Sequence, residues 1–102
     1  FSGPLLFYGH THYPLVFEQY GAAVACLGAE TLSLRPGARH IINPGSVGQP
    51  RDGDPRAAFG IYDDSASRFE FHRVPYDIDG ARKAILDAGL PRVLADRLSR
   101  GR

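Results

Sequence analysis

Two histidines one residue apart, in Gly9-His10-Thr11-His12, are the residues of this chain best suited to chemistry. Imidazole ligates first-row transition metals through either ring nitrogen. On an extended segment, positions i and i+2 project to the same side, so both rings are expected to reach one metal ion or two adjacent ones. Gly9 is expected to let the backbone approach closely or turn sharply, and Pro14 to fix the exit of the segment. Two ligands do not complete a site, because a catalytic zinc takes three protein ligands and a dinuclear centre more. The plainer alternative is that each ring satisfies a local hydrogen bond. Just ahead of the pair, the apolar run Leu5-Leu6-Phe7-Tyr8 reads as a strand buried on both faces. The histidines would then lie beyond its carboxyl end, where open α/β sheets place ligands.

A second block follows about thirty residues later. From Asn43 to Pro55 the sequence NPGSVGQPRDGDP is too rich in Pro and Gly for a helix or a central strand and reads as a loop of fixed shape. Arg51 and Arg56 flank Asp52-Gly53-Asp54 in or beside it. A guanidinium can hold two phosphate oxygens at once, and it can equally pair with Asp52 or Asp54. Those two aspartates could serve a metal, but Gly53 and Pro55 around them look like turn punctuation. His40 and His72 lie in strand-like runs and read as structural or surface residues. Glu18 and Glu70 lack a second carboxylate placed for acid/base work.

The elements that must position these residues are mostly short strands, as 12 Gly and 8 Pro among 102 residues imply. Leu15-Val16-Phe17 and the small-residue run up to Leu27 read as two strands joined near Tyr20-Gly21. A second hairpin is expected from Leu32 and Leu34, through a turn at Pro36-Gly37, back along Arg39-His40-Ile41-Ile42 into Asn43. A third joins 57–62 to 68–74 through Asp63-Asp64-Ser65-Ala66-Ser67, with Phe69 and Phe71 on one face. Asp77 or Asp79 can cap a helix whose apolar positions Ile78, Ala81, Ile85 and Ala88 recur at helical spacing, with Gly89 as its stop. Pro91 opens a second helix through Val93, Leu94 and Leu98. Strands at about 5–74 precede helices at about 77–99, an α+β order or the second half of a larger layered fold.

Composition excludes several classes of function. The net charge of +1 from 12 basic and 11 acidic side chains argues against bulk binding of nucleic acid or anionic membranes. Four arginines between Arg92 and Arg102 read as a solvated helix end. A single Cys26 has no disulfide partner and is expected to pack as a small strand residue. No apolar run approaches the length of a membrane span. With no Met and an opening at Phe1, the chain is expected to be processed or an excerpt.

Together, Gly9-His10-Thr11-His12 and Asn43-Pro44-Gly45-Ser46 resemble the carboxyl-terminal half of a calcineurin-like metallophosphoesterase of the small prokaryotic single-domain type. The likeness runs from Leu5 through Leu98, including Arg51-Asp52-Gly53-Asp54-Pro55-Arg56-Ala57 and Arg73-Val74-Pro75-Tyr76-Asp77. It implies an α/β fold, the strand-rich half of a four-layer α/β/β/α sandwich, with 1–102 as the carboxyl-terminal portion of one domain. It also implies that His10 ligates the second and His12 the first of two divalent metals that activate a bridging hydroxide for attack on phosphorus. Manganese is the first expectation, with Fe, Zn, Ni, Co or Mg as alternatives. Asn43 would orient the His segment, and Arg51 is a further candidate for positioning or substrate contact. The Asp-x-His, Gly-Asp and Gly-Asn-His motifs of that family have no counterpart here. The resemblance therefore implies an enzyme only together with an amino-terminal half, and a chain inactive alone. The expected substrate is a phosphorylated small molecule or nucleotide, and the expected location cytoplasmic. The competing readings are a non-catalytic scaffold or binding domain of the same ancestry and, from another class, a cupin-like metal-binding barrel.

Overall fold

The computed structural model describes residues 1–102. Seven strands come first: β1 (Leu5–Phe7), β2 (Leu15–Tyr20), β3 (Ala23–Leu27), β4 (Leu32–Ser33), β5 (Arg39–Asn43), β6 (Ala57–Asp63) and β7 (Arg68–Val74). Two helices follow, α1 (Ile78–Asp87) and α2 (Arg92–Arg100). The strands form two open sheets, ordered β1-β5-β2-β3 and β4-β7-β6. The chain is thus mixed α/β and strand-rich, and the two open sheets dispose of the barrel alternative.

Alternation along the strands sets the faces. In the first sheet Val16 stands opposite Ile42 and Leu27, with Phe7 on the far side of Ile42. That row meets Phe69 of β7, and Val16, Ile42 and Phe69 form a fully buried cluster bordered by Leu5, Leu27, Leu32, Leu34 and Phe71. The next inward row carries His40 and Glu18, whose Nε2 and Oε2 lie 3.0 Å apart. A carboxylate only accepts, so Nε2 of the buried His40 carries the proton and donates. The opposite face of this sheet carries Leu6, Ile41, Phe17 and Cys26 in one row across four strands.

Three expectations are corrected here. β1 is not buried on both faces: it pairs with β5 alone, and Leu6 and Phe7 are exposed. Cys26 is exposed on edge strand β3 rather than packed. The second hairpin does not form, because β4 pairs antiparallel with β7 while β5 lies in the other sheet between β1 and β2. A turn does occur there, closed by Ala38 N–H donating to the Arg35 carbonyl at 3.1 Å. It carries the chain from one sheet to the other.

Asp77 caps α1, its Oδ1 accepting from Gly80 N–H at 2.9 Å. Gly101 ends α2 in the left-handed region, φ 65°. The helices pack on each other rather than on a sheet face, joined by Arg82 to Asp96 at 3.0 Å. Beyond its own partner, α2 touches the loop before β6: Gly53 N–H donates to the Gly101 carbonyl at 2.9 Å. A Cβ on Gly101 would lie 2.7 Å from the Asp54 backbone, so only glycine fits this junction.

Gly60 faces Phe71 across β6 and β7, and an added Cβ would fall 2.0 Å from Phe69 Cζ. Because Phe69 is wedged in the core, Gly60→Ala should lower stability by about 1 to 3 kcal/mol. Urea unfolding measures this, and an unchanged midpoint would mean that Phe69 does not occupy this space.

Candidate functional site

Parallel pairing of β1 with β5 brings two carboxyl ends side by side. Phe7 stands opposite Ile42, and Tyr8 N–H donates to the Ile42 carbonyl at 3.0 Å. The chain leaving β1 enters the Gly9–His12 loop, and the chain leaving β5 enters Asn43–Ser46. The two blocks singled out in the sequence are therefore neighbours.

Asn43 joins them. Its side chain is fully buried, and Nδ2 donates to Thr11 Oγ1 at 2.8 Å and to the Gly9 carbonyl at 3.4 Å. Its Oδ1 accepts from Gly45 N–H at 2.9 Å, which turns the chain within its own loop. Gly45 has φ 93°, and a Cβ there would come within 2.8 Å of Ala58 Cβ. The loop holds its shape further through Gln49 N–H donating to Ser46 Oγ at 2.9 Å.

The histidine segment is not extended. His10 has φ 78° and His12 φ 59°, and Thr11 N–H donates back to the Gly9 carbonyl at 3.0 Å. His10 is thus the centre of a γ-turn of the rare, strained hand, and His12 follows in the left-handed region. Side-by-side projection from an extended strand is therefore corrected: the turn sets the ring directions. The sharp bend falls on the histidines and not on Gly9, whose φ is not positive and whose surroundings leave room for a Cβ. Such strain costs about 1 to 3 kcal/mol per residue and persists only where neighbours hold it. The Asn43 amide, drawing in Gly9 and Thr11, is that hold.

His12 is gripped twice by the second loop. Its Nδ1 lies 2.9 Å from the Gln49 carbonyl, and Arg51 N–H donates to the His12 carbonyl at 3.3 Å. A carbonyl accepts only, so Nδ1 carries the proton and the neutral ring keeps its lone pair on Nε2. Metal-binding histidines are held in this way, one nitrogen on a carbonyl and the other free to ligate. The His10 ring is exposed. The donor set suits a divalent metal, with the His12 ring held as a ligand would be and the His10 ring open to solvent, but no group of three or more His, Cys, Asp or Glu side chains is placed to hold one.

The charged residues of the loop divide their partners. Arg51 donates through Nε and Nη2 to Gln49 Oε1, at 3.1 and 2.5 Å, and stays exposed. Arg56 forks onto Asp54, with Nη2 to Oδ2 at 2.7 Å. These hydrogen bonds hold the Asp54 carboxyl at about 2, below its ordinary 3.8. Asp52 pairs with Arg73 of β7, 21 residues away, a partner that no local pattern marks. Gln49 acts on His12 through its carbonyl, which leaves no side-chain signature in the sequence. Thr11, as the acceptor between two histidines, could have been suspected from its hydroxyl. His72 is paired with Glu70 at 2.9 Å and stacked on Phe59. With His40 on Glu18, it stands apart from the histidine loop.

Comparison with known proteins agrees with this architecture. No protein-family model matches the chain. An uncharacterized protein of Methanocaldococcus jannaschii is 41% identical over 100 residues, which make up 98% of this chain and 40% of that protein. The crystal structure of a metallophosphoesterase from Sphaerobacter thermophilus is 46% identical, with a TM-score of 0.89 over 100% of this chain and 44% of that one. The chain therefore has the fold of part of a metallophosphoesterase and spans less than half the length of either relative.

Asn43→Ala should cost about 1 to 3 kcal/mol through the buried groups left without partners. It should also speed amide exchange at Thr11, and unchanged exchange would deny the amide its hold on the loop. For Asp54 the folded value lies below the unfolded one, so its contribution is present above about pH 3.8 and is lost as pH falls through about 2. The stability gap between the native protein and Asp54→Asn should accordingly narrow between about pH 5 and pH 2. A constant gap in acid-denaturation curves would contradict the pairing.

Proposed function

We propose that this chain is the carboxyl-terminal part of a metal-dependent phosphoesterase, in which His10 and His12 each serve one of two divalent ions. The observation that carries the reading is the His12 ring: Nδ1–H rests on the Gln49 carbonyl, leaving Nε2 as the ligating atom. The likeness of the whole chain to part of a metallophosphoesterase supports it. Bound metals would supply an acidified water and charge neutralisation at phosphoryl oxygens. Manganese is our first candidate, with Fe, Zn, Ni, Co or Mg as alternatives that such ligands also accept.

The chain's own residues have separate tasks. Asn43 keeps the γ-turn closed, so His10 and His12 do not swing when charge changes nearby. Gln49 fixes the His12 tautomer. Arg51 spends two of its five N–H donors on Gln49 Oε1 and keeps the rest for phosphate oxygens of a small-molecule or nucleotide ester. The remaining ligands would come from an amino-terminal half, so the 102 residues alone would not turn over substrate. No helix is long and apolar enough to cross a membrane. A cytoplasmic location is our expectation, in keeping with a lone Cys26.

In the intact protein, His12→Ala should remove most manganese-supported hydrolysis of an aryl phosphate ester, on the order of 100-fold or more. Steady-state assays with and without the metal measure this. Near-normal turnover would sink the assignment, and an intact protein without hydrolysis would leave a non-catalytic scaffold in its place.

A further inference from the structure

The Asp52–Arg73 pair is expensive to bury and serves no strand pairing. Arg73 and Asp52 are only 17% and 16% exposed, and Asp52 Oδ1 is buried with no hydrogen-bond partner. Surface pairing would satisfy both groups in water at less cost. The pair's position accounts for it. From β7, Arg73 donates through Nη2 to Asp52 Oδ2, and through Nη1 to the Asp54 carbonyl at 3.3 Å and the Arg56 carbonyl at 3.1 Å. One guanidinium thus spans the chain from 52 to 56. On its other side the same segment is pinned by Gly53 N–H to the Gly101 carbonyl of α2 at 2.9 Å.

That segment continues directly from Gln49 and Arg51, the two residues that grip His12. Resting on the metallophosphoesterase reading for its purpose but not for its geometry, we propose that Arg73 is a positioning residue for His12. By clamping 52–56 it keeps the Gln49 carbonyl on Nδ1–H, and so keeps Nε2 presented as the ligating nitrogen. The fork matters as much as the charge. A lysine offers a compact ammonium that cannot span a carboxylate and two carbonyls together. Arg56 is a poorer anchor, being half exposed and paired with Asp54 within the same loop.

The test uses the intact protein, first without metal. Long-range proton–nitrogen NMR of the neutral His12 ring reports which nitrogen bears the proton, and an unconstrained histidine side chain prefers Nε2–H. The native protein should show Nδ1–H alone, and Arg73→Met a mixture of the two forms. Arg73→Lys, which keeps the charge, should also show the mixture. Manganese titration should then give an affinity about 10-fold or more weaker in both variants. A single Nδ1–H form in folded Arg73→Lys would overturn the proposal, as would full rescue of affinity by lysine. Should Arg73→Met not fold, Arg73→Lys and Asp52→Asn decide by the same spectrum. A native protein that binds no manganese would defeat the phosphoesterase reading instead, while the tautomer comparison would still settle the role of Arg73.

Discussion

A carboxamide removed from water must find its hydrogen bonds inside the protein, and Asn43 finds them in two loops at once. Its Nδ2 holds Gly9 and Thr11, and its Oδ1 holds Gly45. An unpaired buried amide costs about 1 to 3 kcal/mol, comparable with the strain of one left-handed histidine. The two therefore balance: the amide is satisfied only if the γ-turn forms, and the turn persists only while the amide holds it. The base for this is β5, the one strand of the four whose flanks are taken by a parallel neighbour on one side and an antiparallel one on the other. Its inward residues His40 and Ile42 are buried, so Asn43 projects from a fixed strand end.

The two loops that the fold brings together, 9–12 and 43–46, stand out in the sequence, and so does most of the local structure. The Gly21 and 63–67 turns, the Asp77 cap and the stop at Gly89 follow from short-range preferences that the sequence displays. The pairing of β4 and β5 does not. Pro36-Gly37 calls for a turn, and a turn forms, but a turn does not dictate that its flanks join one sheet. Leu32 and Leu34 are drawn instead to the core around Phe69 of β7, a contact between distant parts of the chain. The exposure of Leu6 and Phe7 has a related cause, since apolar composition records what a strand suits and not what covers it.

Glycine was a misleading guide at the site itself. Gly9 suggested where the backbone would bend, yet the positive φ angles fall on His10 and His12. Histidine tolerates that region better than most side chains, though the departure still costs energy. Tertiary contacts meet that cost: a buried amide from β5 on one side and the 49–51 segment on the other. Strain of this origin has no local signature, because the residues that hold it are more than thirty positions away.

The groups that orient His12 explain why so much of the site escapes a reading by residue type. The Gln49 carbonyl and the Arg51 amide belong to the backbone, which every residue but proline supplies in full. What the sequence must specify is where those atoms sit. That falls to residues away from the histidines: Gly45 against Ala58, Pro50 in the interior, Gly101 against Asp54 and Arg73 across the loop. A ring held by backbone groups is only as well placed as the loop that carries them. The demand for precision at two histidines is thereby passed down to glycines, a proline and one arginine fork, residues that look like punctuation until the fold brings them together.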